Sequence, residues 1–106
     1  MLPSPFAEDV LDLVAQIPAG RVLAYSDVAD ILGQGGARAV GTVMARFGSD
    51  VPWHRVVRAD GRPAAGHEER ALVLLEAEGV PLRGSRVDMT RARWHPPPNH
   101  GVLADA

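Results

Sequence analysis

The stretch Pro52-Trp53-His54-Arg55-Val56 sets an indole, an imidazole and a guanidinium side by side behind a proline. An imidazole can take or give a proton near neutrality, so His54 with a carboxylate would make a base and its orienting partner. Such a pair needs a nucleophile or a substrate proton to act on, and none stands beside it. The chain has no cysteine, which removes thiolate nucleophiles, disulfides and sulfur-based zinc sites. The four histidines, His54, His67, His95 and His100, lack metal-ligand spacing, and the Gly33-Gln34-Gly35-Gly36 cluster lacks a P-loop lysine. No metal and no nucleotide cofactor is expected. Two readings of Trp53 stay open on these residues alone: it fills core at the start of a buried strand while His54 is satisfied by a hydrogen bond, or it belongs to a site.

The chain of 106 residues, 46% of them apolar, is sized for one domain with a small core. No window has the length of a membrane span and the start MLPSPFAEDV lacks the pattern of a signal peptide, so a soluble, cytoplasmic protein that does not engage membranes is expected. Its basic side chains are 11 arginines and no lysines against 13 acids, a net charge of −2 that argues against strong nonspecific nucleic-acid binding. The charge is uneven, however. Arg21, Arg38, Arg46, Arg55 and Arg58 face only Asp27, Asp30 and Asp50 between positions 21 and 58, and guanidinium groups suit forked contacts to phosphate.

The elements that must hold these groups follow from spacing. Ser4 before Pro5 reads as a helix cap, and Phe6, Val10, Leu13, Val14 and Ile17 recur on one helical face. Pro18-Ala19-Gly20 ends that helix, Arg21 to Tyr25 reads as extended, and Ser26 is placed to cap a second helix over about Asp27 to Leu32. After the glycine turn, Val40, Val43, Met44 and Phe47 mark a third helix, opened by Ala37-Arg38-Ala39. Two short helices about a glycine turn suggest helix-turn-helix. Val56-Val57 reads as a strand and Asp60-Gly61 as a tight turn. Glu68 to Glu78 reads as a helix burying Leu72 and Leu75 and ending at Gly79, and Val80 to Met89 as a wing-like hairpin about Arg83-Gly84. Trp94 is expected to dock on the core, and 95–106, with its three prolines, to be a disordered tail after a single domain over 1–94.

Four segments, GRVLAYSDVA (20–29), ARAVGTVM (37–44), PWHRVV (52–57) and LLEAEGV (74–80), stand in the order and approximate spacing of the C-terminal, DNA-binding domain of O6-alkylguanine-DNA alkyltransferases, which the chain resembles from about Phe6 to Pro81. The family hallmark is PCHRV, whose cysteine accepts the alkyl group. Trp53 in that place, in a short single domain, resembles the alkyltransferase-like proteins, as does the closing Trp94-His95-Pro96.

The resemblance implies a mainly α, winged-helix-like helix-turn-helix domain with short strands. It further implies a monomer that binds double-stranded DNA containing O6-alkylguanine, flips the damaged nucleotide into a pocket containing Trp53, transfers no alkyl group, and hands the lesion to nucleotide excision repair proteins. By the same resemblance, Arg38 is the finger that enters through the minor groove and fills the gap, and Tyr25 crowds the 3′ phosphate and offers its hydroxyl to the base. Carbonyls near Trp53 and Val56 accept from the guanine amine. Gly41 belongs to the small surface of the DNA-facing helix, and Ser26 and Arg46 are phosphate contacts. His54 and Glu78 hold the pocket by hydrogen bonds, and Arg62 is the nearest candidate to read the alkylated O6 edge.

Two readings of other classes compete. A winged-helix transcription regulator would read the major groove, but Ala39, Gly41 and Thr42 offer few base-reading side chains. A base-removing hydrolase would use His54 and Glu78 on a water, without a better-defined acid or nucleophile.

Overall fold

The computed structural model describes residues 2–97. Helix α1 (Pro5–Ala15) starts where Ser4 Oγ accepts the Ala7 N–H, satisfying a donor that the first helical turn leaves unpaired. Strand β1 (Leu23–Ala24) runs directly into α2 (Tyr25–Leu32), and α3 (Ala37–Phe47) follows the glycine turn. The expected cap at Ser26 is not made. The helix begins earlier, at Tyr25, because the Asp27 carboxylate reaches back to accept the Ala24 N–H at 2.8 Å, so Tyr25 is helical rather than extended. Gly35 in the turn lies at φ +67°, and a Cβ there would press into the Phe6 ring, so only glycine lets α1 close on the α2–α3 turn.

Beyond α3 the chain makes two short 3-10 turns, Gly48–Asp50 and Trp53–Arg55, before β2 (Val56–Val57). Val56-Val57 is thus a strand as expected, whereas the reading that starts the strand at Trp53 does not hold, since extended structure begins only at Val56. Strand β2 pairs in parallel with β1, Leu23 beside Val56 and Ala24 beside Val57. Successive strand side chains point to opposite faces, so this small sheet partitions the interior. Leu23 and Val56 join the core under the helix-turn-helix, with Val10, Val14, Val28 and Val40, whereas Val22 and Val57 join a second cluster with Leu75, Val80 and Val87.

Helix α4 (Glu68–Ala77) buries Ala71 and Leu75. Leu72, expected in the core, is half-buried, because α4 turns its Ala71/Leu75 stripe inward. Strands β3 (Leu82–Arg83) and β4 (Arg86–Val87) form the wing-like hairpin, and α5 (Met89–Ala92) leads into Trp94, whose N–H donates to Val22 O and whose side chain packs on the first core. Gly61 lies at φ +91°, and a Cβ there would run into the Val87 carbonyl oxygen, so the Asp60-Gly61 turn and the wing touch backbone to backbone. The expected tail lies, from residue 98 on, outside the described residues.

Candidate functional site

The Trp53–Arg55 turn separates three consecutive side chains. The Arg55 N–H donates to Pro52 O and the Val56 N–H to Trp53 O, a winding of about three residues per turn that fans successive side chains apart. Trp53 faces an open cavity of about 470 Å3, whereas His54 and Arg55 engage Glu78.

On the Glu78 side the carboxylate takes four donors. His54 Nε2 lies 2.8 Å from Glu78 Oε2, and Arg55 grips the same carboxylate with two donors, Nε to Oε1 at 3.0 Å and one terminal nitrogen to Oε2 at 2.7 Å. Its other terminal nitrogen donates to Ile17 O at 2.8 Å, and the Gly20 N–H donates to Glu78 Oε1 at 3.4 Å. The Arg55 fork, helped by the hydrogen bonds from His54 and Gly20, outweighs burial and draws the Glu78 carboxyl down to about 2. An ionised carboxylate can only accept, so the proton in the His54–Glu78 bond sits on His54 Nε2. With its side chain only 11% exposed, His54 is a strut between the turn and the end of α4.

The cavity on the other side is built from four segments. Tyr25 at the start of α2 forms one wall, and Gly41, Met44 and Ala45 present a low surface from the middle of α3. Gly48 and Ser49 close the end beside Trp53, while Ala64, Ala65, His67 and Arg70 form the opposite rim. Burial pushes the Tyr25 phenol up, so its hydroxyl stays protonated and can donate. The His67 ring meets the indole edge-on, 5.7 Å between centroids, and the Arg70 guanidinium lies 5.7 Å from the centre of the Trp53 ring. An indole nitrogen has its lone pair in the aromatic system, so Trp53 offers a flat apolar face and no nucleophile.

Of the residues singled out from the sequence, Tyr25, Gly41 and Trp53 share this cavity. Arg38 is exposed in the first turn of α3 and Arg46 in its last, while Ser26 is half-buried in the first turn of α2. Val56 is a core residue whose side chain does not reach the cavity, and His54 and Glu78 meet behind it. Arg62 is not at the cavity. Its N–H and side chain are both drawn to Asp60, at 3.0 and 3.5 Å. The cation on the rim is instead Arg70, missed in the sequence although His67 and Arg70, three apart at the start of an expected helix, must share a face. The Arg55 grip on Glu78 was missed as well.

A family model described as the DNA binding domain of 6-O-methylguanine DNA methyltransferase matches residues 5–80. A DNA base-flipping protein of Escherichia coli is 41% identical over 99 residues, covering 85% of this chain and 74% of that one. Alkyltransferase-like protein 1 of Schizosaccharomyces pombe is 37% identical over 84 residues, covering 73% and 78%. Among solved structures, S. pombe Atl1 in complex with damaged DNA containing O6-carboxymethylguanine superposes with a TM-score of 0.77 at 30% identity, over 91% of this chain and all of that one.

Proposed function

The chain belongs to the family of the 6-O-methylguanine DNA methyltransferase DNA-binding domain, and from that premise we propose that it binds O6-alkylguanine lesions in duplex DNA without transferring the alkyl group. The observation that carries this reading is Trp53, an aromatic wall of an open cavity at the place where PCHRV would hold the acceptor cysteine. Alkyl transfer needs a soft, ionisable nucleophile, and the chain offers no thiol. The name of the Escherichia coli base-flipping relative and the S. pombe complex with damaged DNA support recognition of an extruded base.

In this proposal α3 lies along the minor groove, and Arg38 at its leading end enters the duplex to stack in the gap left by the flipped nucleotide. The flipped guanine rests against Trp53, a contact worth roughly 1–3 kcal/mol in comparable nucleic-acid sites. Tyr25 donates to the base edge and crowds its 3′ phosphate. The Trp53 carbonyl, which already accepts the Val56 N–H, has a second lone pair for the guanine amine, and the Val56 carbonyl is its neighbour. Ser26 and Arg46 contact phosphates, and the small Gly41 surface lets the backbone approach. Selectivity arises twice, because O6-alkylation weakens the base pair that must open and adds apolar surface to the base that is held. The long-lived complex then marks the lesion for nucleotide excision repair.

The test is equilibrium binding, followed by Trp fluorescence, to matched duplexes with and without one O6-methylguanine, with mass analysis of protein and DNA afterwards. Tighter binding to the modified duplex with both masses unchanged is expected. Equal affinities would remove damage recognition. A mass gain on the protein would restore a transferase, and loss of the base or its alkyl group would favour a hydrolase using His54 and Glu78.

A further inference from the structure

Arg70 has a setting unlike that of most arginines mapped in the fold. Arg55, Arg58, Arg62, Arg83, Arg86 and Arg93 each lie within 4 Å of a carboxylate. Arg70 has no such carboxylate among the described residues, and its guanidinium lies by the Trp53 ring at the rim of the cavity. None of the described residues lining that cavity is acidic. Glu68, two residues before Arg70, is turned away, with Oε1 accepting the Gly66 N–H and Oε2 facing Arg58. The other polar groups of the lining, the Tyr25 and Ser49 hydroxyls and the His67 imidazole, can all act as donors. A guanidinium resting near an aromatic face keeps its N–H edge free for a further acceptor.

We propose that Arg70 is a specificity-determining residue which makes this cavity prefer O6-guanine adducts whose substituent carries a negative charge, such as a carboxylate arm, over neutral adducts of the same size. The proposal rests on the reading of the cavity as a lesion pocket. An O6 substituent is the part of the purine added by damage, and a methyl group is met by the indole alone. A short arm ending in a carboxylate extends toward the rim, where the Arg70 fork supplies a charge-assisted partner and His67 a second donor. DNA phosphates also attract Arg70, but that attraction is common to every duplex and cancels in a ratio of affinities.

The test compares matched duplexes bearing O6-carboxymethylguanine, its neutral analogue O6-carbamoylmethylguanine, O6-methylguanine or guanine, for the native protein, Arg70→Gln and Arg70→Glu. Arg70 is exposed, so both variants are expected to fold, which far-UV circular dichroism verifies. The native protein should bind the carboxymethyl duplex roughly five- to tenfold tighter than the carbamoylmethyl duplex. Arg70→Gln should bring that ratio to about one, and Arg70→Glu should reverse it, while O6-methylguanine remains preferred over guanine in both. A native ratio near one, or a ratio unchanged in either variant, overturns the proposal. Failure of the native protein to prefer any O6 adduct over guanine would overturn the lesion-pocket reading itself, a separate outcome.

Discussion

The two sides of the Trp53–Arg55 turn share a backbone and almost nothing else. Behind it, His54, Arg55, the Gly20 N–H and the Ile17 carbonyl converge about Glu78, so that the carboxylate takes four donors and the Arg55 fork is fully engaged. In front of it, the Tyr25 hydroxyl, His67 and Arg70 border an open space whose described lining contains no acid. Paired polar groups in a half-buried position rigidify, whereas polar groups left without partners at a cavity rim are available to something else. A histidine beside the family's acceptor position therefore need not be read as a catalyst: here its proton is committed to Glu78, and it ties the Trp53–Arg55 turn to the end of α4.

The widest separation between the two sides should come from removing the hub. Glu78→Leu leaves Arg55 and His54 half-buried without their anion and should lower the free energy of unfolding in urea by about 3 kcal/mol or more. Trp53→Ala should cost far less, within about 1 kcal/mol, because the ring already faces open space. Equal costs for the two variants would mean that the indole is a core residue after all.

Acid should reach the same hub without mutation. The folded Glu78 carboxyl titrates at about 2, below its ordinary value of 4.5, so the native state holds the charged form more strongly than the unfolded chain does. The stabilisation is thus fully present above about pH 4.5 and is lost as pH falls toward 2, with an amplitude of about 3 kcal/mol. Urea midpoints measured across that window should fall steeply for the native protein and less so for Glu78→Leu. Parallel slopes would move the acid sensitivity to other carboxylates.

The sequence carries one of these sides better than the other, for physical reasons. Periodicity and capping chemistry are local, so α1 with its Ser4 cap and Pro5 start, and the Val40/Val43 face of α3, can be read directly. The Asp27 carboxylate reaching back from the third helical position to the Ala24 N–H is also local, but Ser26 as the cap is equally compatible with the sequence and only the fold chooses between the two starts. The winding of Trp53–Arg55 has no period to announce it. The Arg55 fork spans 23 residues to Glu78, and Arg70 reaches Trp53 from another element, so both depend on how α4 returns across the turn. Tyr25, Trp53 and the His54–Glu78 pair rest on resemblance to a motif, which offered Arg62 as the nearest candidate for the O6 edge, whereas the structure turns Arg62 to Asp60 and sets Arg70 at the cavity.

On the open side the effects are on binding. Trp53→Ala should weaken affinity for an O6-methylguanine duplex roughly ten- to hundredfold by loss of the stacking wall, with little change for an unmodified duplex. Fluorescence anisotropy of labelled DNA provides the readout, since the variant loses the reporting indole. A uniform loss on both duplexes would instead assign Trp53 to the general DNA surface.

The smallest effect expected is the most diagnostic of how the base leaves the helix. Arg38 stands exposed in the first turn of α3, away from both the Glu78 hub and the cavity lining, so Arg38→Ala should alter neither stability nor the shape of the pocket. Its proposed task is to fill a gap that exists only when a base has been pulled out of a duplex. Stacking a cation there is worth roughly 0.5–2 kcal/mol, so duplex binding should weaken about two- to thirtyfold while a single strand presenting the same O6-methylguanine is held nearly as well as by the native protein. Loss of a simple phosphate contact would lower both, because a single strand carries the same backbone charge. The ratio of the two losses therefore separates a finger from a phosphate anchor, and a ratio near one would place Arg38 with the phosphate contacts and leave the cost of flipping to be met by the Trp53 side alone.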